Sequence, residues 1–237
     1  MPPGKIDYSK LTHINYAFAL VDTKTYAPTI QTASTLAEVV KHAHRHNVRV
    51  AVSIGGWSGS GPFSAMAADP SKRRRFVQQT RDFVAKHNLD GVDIDWEYPG
   101  RETNGVAGRK DDSSNFLQLL RELRSQLPKS KYISAAVRVE PFDGPNGPMK
   151  DVSAFAGPLS FVQVMAYDVY GAWSSTTGPN APFDPVKGGT EPPVSFTTAA
   201  KAWTNAKFPR DKIVMGLAFY GRSAVAASAL KPSSMYG

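Results

Sequence analysis

The sequence predicts a mixed α/β fold in which helices cover a parallel sheet. Six short apolar runs, rich in Val, Ile and Ala, alternate along the chain with segments of helical periodicity, which is typical of such a sheet. Two architectures fit, an open doubly wound sheet and a (β/α)8 barrel with pieces missing. No glycine-rich phosphate-binding motif follows the first run, which weighs against a dinucleotide-binding fold. A cluster of acids ends the third run, where such a barrel carries its catalytic residues, so we expect an incomplete TIM (β/α)8 barrel with about six of its eight strands.

The individual elements follow from local pattern. The predicted strands are residues 12–20, 49–54, 91–95, 132–139, 161–166 and 212–219, and the predicted helices are residues 35–46, 71–87, 113–127 and 196–206. Ser71 and Ser113 are candidate N-caps. A short helix is expected at 151–155, and the Pro/Gly-rich stretches 140–148 and 178–193 are expected to be long loops.

Composition limits the classes of function. A chain of 237 residues with 41% hydrophobic content suits one domain, and the lack of cysteine excludes disulfides and thiolate metal sites. No apolar stretch approaches the ~18 residues of a membrane span, and no signal-peptide core follows Met1. The net charge is +8, partly from the basic run 72–75, which we interpret as a solvated helix face. No nucleic-acid motif appears, so we expect neither a nucleic acid nor a membrane as partner.

The most informative feature is the acid run D-G-V-D-I-D-W-E-Y-P at residues 90–99. On a strand, Asp93, Asp95 and Glu97 face one side, with successive Cα atoms roughly 6.6 Å apart. Like charges this close destabilise a fold, and the usual reason to keep them is acid–base chemistry. Glu97 lies nearest the open end and is the candidate general acid, with its pKa raised by the charge of Asp95. We expect Asp93 to share a proton with Asp95. Asp90 has the opposite parity and is interpreted as structural, and a three-carboxylate metal site is disfavoured because one strand rarely supplies three ligands.

This run resembles the signature of family 18 glycoside hydrolases, the chitinases and their relatives. Further matches follow in order along the chain: I-N-Y-A-F at 14–18, S-I-G-G-W at 53–57, Q-V-M-A-Y-D at 163–168 and G-L-A-F-Y-G-R at 216–222. The resemblance runs from about residue 8 to the end. We therefore interpret residues 1–237 as one partial catalytic domain.

The resemblance implies retaining, substrate-assisted hydrolysis of β-1,4-linked N-acetylglucosamine polymers without a cofactor or a metal. In that mechanism Glu97 protonates the glycosidic oxygen, Asp95 holds the acetamido N–H, Asp93 supports Asp95, and Tyr167 donates to the acetamido oxygen. The sugar contacts that the resemblance implies are Phe18, Gly55, Gly56, Trp57, Tyr98, Met165, Asp168, Trp173, Tyr220 and Arg222. Trp203, on a predicted helix, is interpreted as packing.

The chain also departs from the family pattern. The family's first and eighth strands and its insertion domain are missing, so we expect part of a longer chitinase, with residues 221–237 beginning the insertion. Arg138 and Glu140 follow the fifth strand, where relatives commonly carry small residues and Pro. The resemblance further implies an extracellular protein, monomeric if complete.

Two other functions stay open. A chitinase-like lectin would bind chitin fragments without cutting them, although such relatives typically lose one of the acids that this chain keeps. An endo-β-N-acetylglucosaminidase acting on N-glycans shares the acid motif, but the W-E-Y-P, S-x-G-G-W and M-x-Y-D motifs favour a chitinase.

Overall fold

The computed structural model describes residues 1–103, 105–185, 194–225 and 227. A curled sheet has the strand order β2–β1–β3–β4–β5–β8–β9, and all neighbours in it are parallel except the pair β1 and β2. Its strands are β1 (His13–Val21), β2 (Pro28–Thr29), β3 (Arg49–Gly55), β4 (Gly91–Asp95), β5 (Tyr132–Val137), β8 (Phe161–Val164) and β9 (Ile213–Met215). Within the described residues β1 and β9 do not pair, so the expected incomplete barrel is confirmed.

The helices lie between the strands, as the alternating pattern predicts. They are α1 (Ala33–Arg45), α2 (Phe63–Ala68), α3 (Pro70–Lys86), α4 (Asp112–Gln126) and α5 (Phe196–Asn205). The sequence missed α2 and β2, which are too short to show a clear period. The short helix expected at 151–155 is a 3-10 helix at Ser153–Ala156, and the loop at 140–148 contains the small hairpin β6 (Asp143–Gly144) and β7 (Gly147–Pro148). Of the loop at 178–193, residues 186–193 lie outside the described residues, as does most of 221–237.

Both N-cap predictions were wrong. The carboxylate of Asp69 caps α3 by accepting the backbone N–H groups of Ser71 and Lys72, at 2.8 and 3.2 Å. Pro70 takes the first helical position, where its missing N–H costs nothing. Helix α4 begins at Asp112, so Ser113 lies inside its first turn.

The strand register sets which side chains share the inner face. Asp93 stands opposite Ser53 of β3 and Ser134 of β5. Trp96 faces the other way, stacks on Phe63 of α2 at a ring distance of 5.5 Å and is buried in the helical layer. The alternation expected for the acid run is therefore present.

The ends of the sheet were predicted less well. Strands β5, β8 and β9 stop two to four residues earlier than the apolar pattern suggested, because the chain leaves the sheet for the loops at its carboxyl edge. Trp203 of α5 is fully buried, and its indole N–H donates to the Arg138 carbonyl at 3.0 Å, which confirms the packing role. No helix in the described ranges has the length and apolar character needed to cross a bilayer.

One member of the basic run was interpreted wrongly. Arg74 and Arg75 are exposed on α3, but Arg73 is buried and its guanidinium reaches Glu122 of α4 at 2.9 Å. The same side chain donates to the Ala67 carbonyl of α2 at 2.6 Å. Arg73 therefore joins three helices and is not part of a solvated face.

We expect Arg73→Ala to lower the free energy of unfolding by about 3 kcal/mol, because it leaves the half-buried Glu122 carboxylate without its ion-pair partner. Arg75→Ala, from the same run but exposed, should change it by less than about 0.5 kcal/mol. Urea unfolding of the two variants checks this difference. Equal losses would contradict the role given to Arg73.

Candidate active site

The burial of the three acid side chains decreases along the run from Asp93 to Glu97. Asp93 and Asp95, on β4, are 2% and 5% exposed, and Glu97 lies half-buried two residues beyond the strand end. The three carboxyl groups therefore form a series from the interior of the sheet to its carboxyl edge. This is the edge at which barrel enzymes hold their reacting groups.

Asp93 is the deepest member and is fully partnered. Its carboxylate accepts the hydroxyls of Ser53 and Ser134, both at 2.7 Å, and the side-chain amide of Gln163 at 2.9 Å. Burial raises its pKa, and these three hydrogen bonds oppose the rise. The sequence analysis missed the two serines, although their strand parity matches that of Asp93 in the neighbouring strands.

Asp95 and Glu97 interact with each other. A hydrogen bond joins the two side chains, while the other oxygen of Asp95, Oδ1, is buried without a recorded partner in the described structure. Burial, the Glu97 charge and the Asp93 charge together raise the pKa of Asp95 to about 8. The pair therefore holds a proton near neutral pH.

The origin of the raised Glu97 pKa differs from the prediction. Burial raises the pKa of Glu97 first, and the charge of Asp168 adds to it. The hydrogen bond from Asp95 acts in the opposite direction, as do those from Tyr98 and the Trp57 backbone. Charge repulsion from Asp95 is not among these causes, and the contribution of Asp95 to the Glu97 pKa is a hydrogen bond.

Two glycines let β3 approach the acid strand. Gly55 has φ +118°, and a Cβ there would stand 2.1 Å from the Asp95 carbonyl oxygen. Gly56 has φ +78° and faces the ring of Phe18, and its N–H donates to the same Asp95 carbonyl at 2.8 Å. Close approach of the Asp95 backbone accounts for Gly55, and positive φ together with the Phe18 ring accounts for Gly56.

We expect Gly55→Ala to lower the free energy of unfolding by more than about 3 kcal/mol, because the new methyl group meets backbone that cannot move aside. Gly105 also has positive φ but has nothing within 4 Å of its Cβ position. Gly105→Ala should cost about 1 kcal/mol, the backbone term alone. Chemical denaturation separates the two, and similar losses would show that crowding at Gly55 is not the cause.

A groove of about 310 Å³ opens beside the acids at the carboxyl edge of the sheet. Several residues that the resemblance assigned to the site line it together. The lining consists of Tyr98, Arg101, Arg138, Val139, Glu140, Met165, Tyr167, Asp168, Val169 and Val194.

Tyr167 sits close to the acids. Burial raises its pKa, and the charges of Asp95, Glu97 and Asp168 add to the rise. Its ring packs near Gly216, where a Cβ would come within 2.8 Å of the ring. The phenol is therefore held in its neutral, donating form.

Asp168 organises the rim on the other side of the groove. Its carboxylate accepts the Tyr220 hydroxyl at 2.7 Å and the Arg222 guanidinium at 2.6 Å. The guanidinium lies 4.7 Å from the ring centre of Trp173, which is 61% exposed. Tyr167 and Tyr220 meet edge to face at a ring distance of 6.1 Å, so this rim contacts the tyrosine that lies beside the acids. Trp57 and Phe18 are exposed at 58% and 48% and lie by the glycine pair.

Arg138 and Glu140, where the sequence differs from the family pattern, belong to a network of ion pairs. Arg138 donates to Glu140 at 2.8 Å and to Asp143 at 3.0 Å, and Arg101 donates to Asp143 at 2.6 Å. This network joins the loop after the acid strand to the loop after β5. The sequence analysis singled out Arg138 and Glu140 but missed their partners, which lie far away in sequence or carry no motif.

Among the described residues, no group of three or more His, Asp or Glu side chains is arranged to hold a metal ion. Asp90 accepts the Val50 N–H at 2.8 Å and lies 2.7 Å from His44 Nε2, at the opposite end of β4 from Glu97. These contacts confirm that Asp90 is structural.

A curled parallel sheet with graded acids at the carboxyl edge of one strand places this chain among proteins of the TIM-barrel type. The pattern of the family described as Glycosyl hydrolases family 18 matches residues 2–234, and the chain belongs to that family. A chitinase-like effector of Moniliophthora roreri is 41% identical, over 93% of this chain and 55% of the relative. Probable chitinase 2 of Drosophila melanogaster is 32% identical, over 92% of this chain and 46% of the relative.

Solved structures agree with the fold. A chitinase from Rhizomucor miehei is 33% identical with a TM-score of 0.93, covering 99% of this chain and 65% of the other. A mutant of Ostrinia furnacalis Group II chitinase catalytic domain 2, in complex with penta-N-acetylchitooctaose, is 28% identical with a TM-score of 0.83, covering 91% of this chain and 58% of the other. The chain thus spans about half the length of the curated relatives it matches.

Proposed function

We propose that the protein is a chitinase, which hydrolyses β-1,4-linked N-acetylglucosamine polymers by a retaining, substrate-assisted mechanism. The observation that carries the proposal is the Asp95–Glu97 pair, a buried and a half-buried carboxyl group that share a hydrogen bond, next to Tyr98 of the groove lining. Such a pair keeps a proton available near neutral pH. A general acid needs that proton where the glycosidic oxygen would lie.

In this proposal the proton of the pair passes to Glu97 and then to the glycosidic oxygen as the bond to the anomeric carbon breaks. The 2-acetamido oxygen of the same sugar attacks that carbon and forms an oxazolinium cation. Asp95, now a carboxylate, accepts the acetamido N–H and faces the cation. Glu97 then takes a proton from water as the water oxygen bonds to the anomeric carbon. The bond between that carbon and the acetamido oxygen breaks, which opens the oxazolinium ring with overall retention. Attack from within the substrate gains rate because no second reactant has to be brought in.

The remaining residues orient the sugar. Tyr167 stays neutral beside the acids and donates its hydroxyl to the acetamido oxygen. Asp93, held by its three hydrogen-bond donors, supports Asp95. The exposed rings of Trp57 and Trp173 offer flat faces on which sugar rings stack. No cofactor or metal is required, and we propose that the protein acts outside the cell on chitin or its oligomers, as a monomer in its complete form.

Incubation with chitin oligomers, followed by separation of the products, tests the proposal directly. We expect shorter oligomers whose newly formed anomeric centre is first released in the β configuration, because retention preserves it. Release of the α anomer first would contradict the substrate-assisted mechanism, and intact oligomers would contradict hydrolysis.

A second candidate function is binding of chitin fragments without cleavage. The relatives from Moniliophthora roreri and Moniliophthora perniciosa, both described as chitinase-like effectors, are 41% and 37% identical to this chain, against 32% for Probable chitinase 2 of Drosophila melanogaster. Calorimetric binding of a chitin oligomer without product formation would support this function. The complete acid series argues for hydrolysis.

A further inference from the structure

Two buried hydroxyls that the proposed mechanism does not use lie on either side of Glu97. Ser60 is 2% exposed and Thr103 is 4% exposed. Ser60 follows the short 3-10 helix Trp57–Gly59, and Thr103 lies in the loop after the acid run. Ser60 precedes the acid run in the chain and Thr103 follows it, yet both side chains reach the backbone of Glu97.

Ser60 connects the glycine segment to the acid segment. Its Oγ accepts the backbone N–H of Glu97 at 2.8 Å. Its own proton is directed at the carbonyls of Gly56, at 2.9 Å, and Asp95, at 3.2 Å. The Ser60 hydroxyl therefore holds the backbone at Asp95 and at Glu97.

Thr103 holds the other side of the same residue. Its hydroxyl donates to the Glu97 carbonyl at 2.5 Å. Thr103 is itself fixed, because it exchanges two backbone hydrogen bonds of 2.9 Å with Val106. Strand β4 ends at Asp95, so both backbone groups of Glu97 bind side-chain hydroxyls where a strand residue would bind its neighbour.

We propose that Ser60 and Thr103 are positioning residues, which hold the backbone of Glu97 so that its carboxyl group meets that of Asp95. The inference rests on the proposed function, since it names the groups that place its general acid. Neither Ser60 nor Thr103 is among the residues that line the groove. Their effect passes through the peptide of Glu97, and a displacement of about 1 Å at a reacting group can cost on the order of 100-fold in rate.

The first test needs no turnover. Carboxyl ¹³C titration of the 237-residue chain follows Asp95 and Glu97 in the parent, in Ser60→Ala and in Thr103→Val. Both the Glu97 charge and its hydrogen bond raise the pKa of Asp95, so displacement of Glu97 should lower the upper pKa of the pair by about 0.5 unit or more. Thr80→Val is the matched control, since it removes a buried hydroxyl without a recorded partner and should leave the titration unchanged.

The second test is kinetic. We expect Thr103→Val and Ser60→Ala to lower kcat about 10-fold with KM within about twofold, and Thr103→Ser to restore both values. If a variant loses stability while the upper pKa of the pair stays at the parent value, the hydroxyl is merely structural and the inference is wrong. If Thr103→Val does not fold, the titration and kinetics of Ser60→Ala decide. A parent that cleaves nothing contradicts the proposed function, whereas the titration still decides the positioning role.

Discussion

Glu97→Gln is expected to lower the rate of chitin-oligomer cleavage by about 10²–10⁴-fold, because glutamine keeps the shape of the side chain but cannot deliver a proton. Oligomer affinity should stay within about threefold, since the groove residues are unchanged. The measurement is product separation at several times, combined with calorimetric binding to each variant.

Glu38→Gln is the matched control for this substitution. Glu38 lies exposed on α1, so the same chemical change there should leave cleavage unaltered. Cleavage by Glu97→Gln at the parent rate would contradict the assignment of Glu97 as the general acid. Equal loss of binding and cleavage would instead point to a damaged groove.

The sequence predicts those features of the site that depend on residues close together in the chain, and misses those that depend on residues far apart in it. The alternation of Asp93, Asp95 and Glu97 is local, so the face they share and the position of Glu97 at the strand end were predictable. Ser53 and Ser134 share that face as well, but only the strand register shows that they stand opposite Asp93.

The electrostatics were less predictable than the placement. Charge repulsion between neighbours follows from spacing, and spacing alone gave Asp95 as the cause of a raised Glu97 pKa. Burial and the charge of Asp168 raise that pKa instead, and the hydrogen bond with Asp95 opposes the rise. Asp168 lies 71 residues further along the chain, where no local pattern links it to Glu97.

The same limit applies to the fold. Strand and helix order followed from periodicity, whereas Arg73 looked like its exposed neighbours in the basic run. Its burial depends on Glu122 of α4 and on a carbonyl of α2, a helix that the sequence did not show. Contacts among three elements set these details, and a one-dimensional pattern carries none of them.

Asp95→Asn is expected to separate stability from activity. In the parent, the pKa of Asp95 is about 8 in the folded state against 3.8 ordinarily, so the folded state binds this proton more tightly than the unfolded chain does. The resulting stabilisation is complete below about pH 4 and is lost as the pH rises to about 8. Asparagine carries no titrating proton, so the variant should lack this loss.

Urea unfolding between about pH 5 and pH 8 measures the difference. Over that interval the parent should lose more than about 1 kcal/mol relative to Asp95→Asn, since one unit of pKa difference corresponds to about 1.4 kcal/mol. The acids whose pKa values are lowered, Asp22, Asp69 and Asp151, lose their contribution only in more acidic solution. Asp82→Asn, at an exposed ion pair with Arg81, should keep the pH dependence of the parent.

The same substitution should lower cleavage by about 10²–10³-fold, because a neutral amide can accept the acetamido N–H but offers no charge to the oxazolinium cation. The variant is then more stable than the parent at pH 8 and almost inactive. A parallel pH dependence in parent and variant would show that Asp95 is not the group that binds the proton. Retained cleavage would remove Asp95 from the mechanism even if the stability result holds, so the two measurements judge the two roles of this carboxyl group independently.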